Sequence, residues 1–203
     1  MSTAPVRSTL GLRAHNQNQR RKRIVQTAAA LALRGGVEAM QMRSVAERAG
    51  VALGTLYRYF PSKMDLVAAV VTEELDVLES SIVRRPPTSD TPAGRATDLL
   101  MRASRGLVRE PELADALVRS LVFSEVTADL GMRLTSMLWR VAYPDAPQRP
   151  EPTEATSAEY VALDALVSVW IFEVLEVLKG RRDLTESQDR LEVAAARLLR
   201  PTP

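Results

Sequence analysis

Within VALGTLYRYFPSK, residues 51–63, one threonine, two tyrosines, an arginine and a lysine stand close together: Thr55, Tyr57, Arg58, Tyr59 and Lys63. The chain has only four tyrosines, and no acidic residue separates Glu47 from Asp65. Hydroxyl, guanidinium and ammonium groups with no carboxylate among them suit phosphate oxygens, and a tyrosine ring also packs on a thymine methyl. Catalysis fits poorly. There is no cysteine, the single histidine, His15, has no paired carboxylates around it, and no glycine-rich phosphate loop occurs. Tyr57 and Tyr59 also suit a plainer role, covering a hydrophobic edge, so their surroundings must decide.

Charge is one such surrounding. Residues 1–63 carry 11 Lys and Arg against two acids, Glu38 and Glu47, for a net of +9, whereas residues 64–203 carry 16 against 23, for a net of −7. A basic head on a mildly acidic body suits polyanion binding by the head, with a solubilising basic tail as the bland alternative. At 203 residues and 46% hydrophobic, the chain can bury a core. It has no apolar run long enough to span a bilayer, and its N-terminus lacks a signal peptide's apolar stretch. The absence of thiols suits a reducing compartment, so a cytoplasmic protein without membrane contact, metal or cofactor is expected.

The elements that must hold these side chains read as helices throughout. Ile24, Ala28, Leu31 and Ala32 form one apolar stripe, ended by Gly35-Gly36. Met42–Ala49 and Thr55–Phe60 are two short helices about a glycine turn at Gly50. Ser62 caps a longer helix, Lys63–Arg84, that stops before Pro86-Pro87. Thr91-Pro92 opens the next, with Ala96, Leu99, Leu100, Ala103 and Leu107 inward. Helices follow from Pro111 (Leu113, Leu117, Leu121) and from about Glu125 (Val126, Leu130, Leu134, Met137, Leu138, Val141). Residues 143–157, with four prolines, are a loop. A strongly apolar helix spans about Ser157–Lys179, and Thr185 to Gln188 resembles a capping box starting the last one.

Two short helices joined by a tight turn have the layout of a helix-turn-helix, whose second helix enters the major groove. A helix of under two turns is not stable alone. Leu56 and Phe60, one turn apart, anchor it, which leaves Thr55, Tyr57, Arg58 and Tyr59 outward. Lys63 begins the long helix, where free N–H groups and charge favour a phosphate. Arg43 and the run Arg20-Arg21-Lys22-Arg23 add to the basic surface.

These stretches also resemble a known family. RRKRIVQTAAALALRGG (20–36) and MRSVAERAGVALGTLYRYFPSKMDL (42–66) are similar to the TetR family of bacterial transcriptional regulators over about residues 19–75. The resemblance implies an all-α fold with a three-helix DNA-binding domain at 18–63, after a basic, flexible arm at 1–17, and an effector-binding and dimerisation domain at 64–203. It places Arg43, Leu53, Gly54 and Tyr57 against bases, and Ser44, Thr55, Arg58, Tyr59 and Lys63 against phosphates. Leu53 and Gly54 carry no hydrogen-bonding side chain, so base reading rests on Arg43, Tyr57 and DNA shape. The arm, with Arg7 and Arg13, reads as disordered, with reach into a minor groove as the alternative.

The resemblance further implies a homodimer paired through the last two helices, reading an inverted repeat in double-stranded DNA with half-sites about 34–36 Å apart or a multiple of that. The apolar helix Val161–Leu178 has more greasy surface than one neighbour covers, although a central buried helix in a monomer is the other reading. Candidate lining of an effector pocket is Leu100, Leu107, Leu117, Leu121, Phe123, Leu134, Met137, Leu138, Trp139 and Trp170, each of which equally suits plain core. Such a lining favours a lipophilic effector over a metal or sugar. Arg102, Arg105, Arg109 and Arg119 are available to an acidic ligand group or form a solvated face. GLVREPELADALVRSLVFSE (106–125) and VWIFEVLEVLKGR (169–181) are similar to regulators of actinobacterial sterol catabolism, which implies a steroid-derived effector. The expectation is a repressor released by that ligand. Activation by the same fold, or a helical protein-interaction module without DNA binding, stays open.

Overall fold

The computed structural model describes residues 6–109, 111, 114, 118, 127–146 and 157–200, without the side chains of 6–10 and 127–130. Among the described residues every regular element is a helix. These are α1 (Val6–Ala39), α2 (Met42–Arg48), α3 (Leu53–Tyr59), α4 (Lys63–Arg84), α5 (Pro92–Val108), α6 (Thr127–Ala142), α7 (Ala158–Leu178) and α8 (Leu184–Leu198).

Local chemistry sets most of the ends. Ser62 Oγ accepts from Asp65 N–H, and the Asp65 carboxylate accepts from Ser62 N–H in return, so α4 starts on a capping box. Thr91 caps α5 with Pro92 at its first position. The cap of α8 lies two residues before the expected Thr185: Asp183 accepts from the N–H groups of Thr185 and Glu186, and Glu186 closes the box. A carboxylate outcompetes a hydroxyl there because it takes two donors at a helix's positive end.

Two departures concern α1. Residues 6–17, expected as a flexible arm, continue the helix. Nothing between Val6 and Ile24 stops it except the tolerable Gly11, and each added residue gains a hydrogen bond once a nucleus exists. At the other end, Gly35 and Gly36 do break the helical backbone, Gly36 at φ 64°, but a last turn follows them to Ala39. The left-handed Gly36 is the conformation that side chains resist.

Two apolar cores result. The head core joins Ile24, Ala28 and Leu31 of α1, Val45 of α2, Leu56 of α3 with Phe60, and Leu66–Val71 of α4. It therefore extends past residue 63, the boundary expected for this domain. The body core gathers Leu99 and Leu100, Met137 and Leu138, Leu163, Leu166 and Trp170, and Leu191 and Ala195, from α5 to α8. Leu75 and Leu107 pack against both. Leu113, Val126 and Arg119 lie outside the described residues, as do Leu117, Leu121 and Phe123.

Ion pairs bind α4 to α6. Arg133 pairs with Asp76 and, at 3.1 Å, with Glu79, and Arg140 reaches Glu79 at 2.6 Å. Arg102, weighed above as a ligand contact, instead donates to the Ser81 and Arg85 carbonyls at the end of α4. Arg105 meets Gln188 at 3.4 Å. Among the described residues no helix is long and apolar enough to cross a membrane.

Candidate nucleic-acid interface

Helices α2 and α3 are short, seven residues each, and anchored by few buried side chains. In α2, Val45 and Ala46 are buried; in α3, only Leu56 is, with Phe60 sealing its end at 2% exposure. Between them Gly50 adopts φ 64°, and Val51 N–H returns to the Ala46 carbonyl at 3.0 Å. This turn aims α3 outward by a route few other residues permit.

The expected DNA residues lie on α2, α3 and the start of α4 and differ in exposure. Arg43, Gly54, Tyr57 and Arg58 are exposed, Tyr57 by 45%. Ser44 and Thr55 are half-buried at their helix starts. Leu53 and Tyr59 lean on the head core, so Tyr59 is not the fully outward side chain expected. Its ring lies 6.4 Å from that of Phe60. A seven-residue helix against a convex core leaves its last turn half covered. A Cβ built on Gly54 would meet nothing within 4 Å, so the fold itself does not need glycine at that position.

Lys63 stands at the start of α4, 3.8 Å from Glu38. The Ser62–Asp65 box already occupies donors at that helix end and brings a carboxylate to it. A phosphate at this point therefore meets Lys63 more than it meets free N–H groups. Arg21 stacks over the Phe60 ring at 5.3 Å, which ties the packed start of α1 to the end of α3. Arg23 and Arg34 of α1 and Arg48 of α2 line a shallow groove of about 280 Å³ beside these elements.

The expected pocket residues come together in the body core. Leu100, Leu134, Met137, Leu138, Trp139 and Trp170 are buried, and Leu107 is half-buried between the two cores. Leu117, Leu121 and Phe123 are the ones outside the described residues. Sequence reasoning missed Ser104, whose hydroxyl accepts the Trp170 indole N–H at 2.9 Å and donates to Leu100. A buried indole needs such an acceptor, which was the available signal. It also missed Glu173, buried in α7 and met by Arg182, Arg190 and Ser187.

Comparison with known proteins agrees with this arrangement. Residues 24–70 match the bacterial regulatory proteins of the tetR family, and residues 89–198 match the tetracyclin repressor-like C-terminal domain. The HTH-type transcriptional repressor KstR of Mycolicibacterium smegmatis is 34% identical over 98% of this chain and 96% of its own. KstR of Rhodococcus jostii is 35% identical over 98% and 92%. Among solved structures, a TetR transcriptional regulator from Rhodococcus sp. RHA1 superposes with a TM-score of 0.74 at 29% identity, covering 91% of this chain and 97% of that one. Both halves of the molecule thus have counterparts in one group, and the chain belongs to the TetR family of bacterial regulatory proteins.

Proposed function

We propose that the chain is a transcriptional repressor that binds an inverted-repeat operator as a homodimer and leaves it on binding a lipophilic, steroid-derived effector. The observation that carries the DNA reading is the α2–α3 surface, where Arg43, Tyr57 and Arg58 stand exposed with no acid between Glu47 and Asp65. Arg43 and Tyr57 read bases, while Ser44, Thr55, Arg58 and Lys63 hold phosphates. Similarity to the KstR repressors supports repression, and the apolar body core around Leu100, Met137 and Trp170 supports a lipophilic effector.

Dimerisation is supported by apolar side chains left bare on α7 and α8: Val161, Phe172, Val193 and Leu198. A second copy covering these would form a four-helix interface. The effector enters the body core between α5, α6 and α7, beside Leu100, Met137 and Trp170. It shifts α6 and, through the Arg133 and Arg140 pairs, tilts α4 and the head with it. Release follows only to the extent that the effector prefers the DNA-incompetent state.

Selection from a random duplex pool tests the reading, followed by titration of the selected duplex with salt and with steroid acids or their coenzyme A thioesters. The expected result is an inverted repeat bound with a steep salt slope and released by ligand. Weak binding indifferent to sequence would overturn it. Tighter operator binding with ligand would overturn derepression alone.

A further inference from the structure

The head continues outward as a basic helix that its own core does not need. Every described side chain from Gly11 to Arg23 is exposed, and the first buried residue of α1 is Ile24. No acid precedes Glu38, whereas Arg13, Arg20, Arg21, Lys22 and Arg23 all lie in this outer stretch. None of these five cations forms an ion pair among the described residues. Adjacent like charges one turn apart, as at Arg20 and Arg23, destabilise a free helix, and an anion alongside removes that repulsion. Arg13 and Arg20, seven residues apart, fall on one side of α1 at 3.6 residues per turn.

What the helix faces follows from where it departs. Arg21 sits on Phe60, the residue that closes α3, so the outer stretch leaves the head at the end of the recognition helix and near Lys63. From there residues 6–20 extend about 20 Å at 1.5 Å per residue, or roughly six base pairs at 3.4 Å each. Among Gly11–Arg20 Leu12 is the one large hydrophobic, too little for an apolar stripe that would favour a membrane surface.

We propose that the outer half of α1 is a second DNA-contacting element, holding the phosphates that flank each half-site through Arg13, Arg20 and Arg23, which share one side of it. It contributes affinity and reach but no base reading. This rests on the DNA reading given above and deepens it.

The test compares the full chain with a triple variant, Arg13→Gln, Arg20→Gln and Arg23→Gln, and with a chain begun at residue 18. All three are titrated on the selected inverted repeat with no flanks and with about ten further base pairs on each side. The expected result is tighter binding of the flanked duplex by the full chain, and loss of that gain in both variants. At about 0.9 per phosphate contact, the triple variant's log–log salt slope falls by about two to three. Preference among single-base changes in the repeat stays the same. Equal flank gains and equal slopes in wild type and triple variant would overturn the proposal while leaving the repressor reading intact. The same holds if the substitutions change only concentration-dependent association between copies, which would place the helix on the acidic body of a neighbour. Wild-type protein that selects no repeat at all would instead defeat the DNA reading, and this inference with it.

Discussion

On the proposed DNA surface, Gly54 separates what the fold requires from what recognition would require. It sits helical in α3 with open space where a Cβ would go, so Gly54→Ala should raise stability by about 0.5–1 kcal/mol. The same methyl would stand between α3 and the floor of the groove, weakening operator binding roughly ten-fold, or about 1.4 kcal/mol. Thermal melts and operator titrations on one variant read both effects, and parallel changes in the two would contradict the assignment. Arg43 and Lys63 divide along another line. Arg43→Ala should cost about 1–3 kcal/mol and relax preference at one base pair, whereas Lys63→Ala should weaken all duplexes alike and lower the salt slope by about one. The outward placement of Tyr57 and Arg58 was legible in the sequence, whereas the posture of Tyr59 was not. Its neighbours are fixed by the way Phe60 seats in the head core, which a helical period over seven residues does not resolve.

At the scale of elements, the tie between α4 and α6 is the part most open to measurement. Burial pushes the Glu79 carboxyl up, but hydrogen bonds and charge from Arg133 and Arg140 outweigh it and hold the carboxyl below its ordinary 4.5. A depressed carboxyl stabilises the fold fully above its unfolded value, and the contribution disappears as pH falls through the folded one. Glu79→Gln should therefore melt below wild type at neutral pH, with the gap closing as pH drops below about 4.5. A gap unchanged at low pH would show that the pairs contribute nothing. If α6 drives α4, the variant should also release DNA at an altered effector concentration. The ends of α4 and α5 were legible because Ser62, Thr91 and Pro92 act within one turn. The cap of α8 was misplaced because Thr185–Gln188 and Asp183–Glu186 offer overlapping boxes, and only the chain's path out of α7 chooses between them. Arg102 was illegible in principle, since its acceptors are backbone carbonyls brought near by tertiary packing.

For the whole molecule, the proposed dimer rests on the bare side chains of α7 and α8. Phe172→Glu would bring a carboxylate into each half of the proposed four-helix contact, beside an Arg182 already paired with Glu173, at a cost of about 3–5 kcal/mol. Light scattering should then report monomers at concentrations where wild type is paired, and operator affinity should fall roughly 100-fold or more as the two heads lose their common frame. A Phe172→Glu protein that remains dimeric would place the interface elsewhere. Composition gave the basic head and acidic body directly, because net charge needs no knowledge of contacts. The effector's identity was not written there, since Leu100, Met137 and Trp170 satisfy a packed core and a ligand wall with equal chemistry.

Leu75 and Leu107 touch both apolar cores, and α4 runs unbroken from one to the other. Cutting the chain after α4 would strip Leu75, Leu78 and Ile82 of their cover, so an isolated head would expose a greasy tail and associate with itself. Heating the intact chain meets the same constraint. Neither half can melt without baring the other's flank, and a calorimeter should record one endotherm where a beads-on-a-string protein would give two.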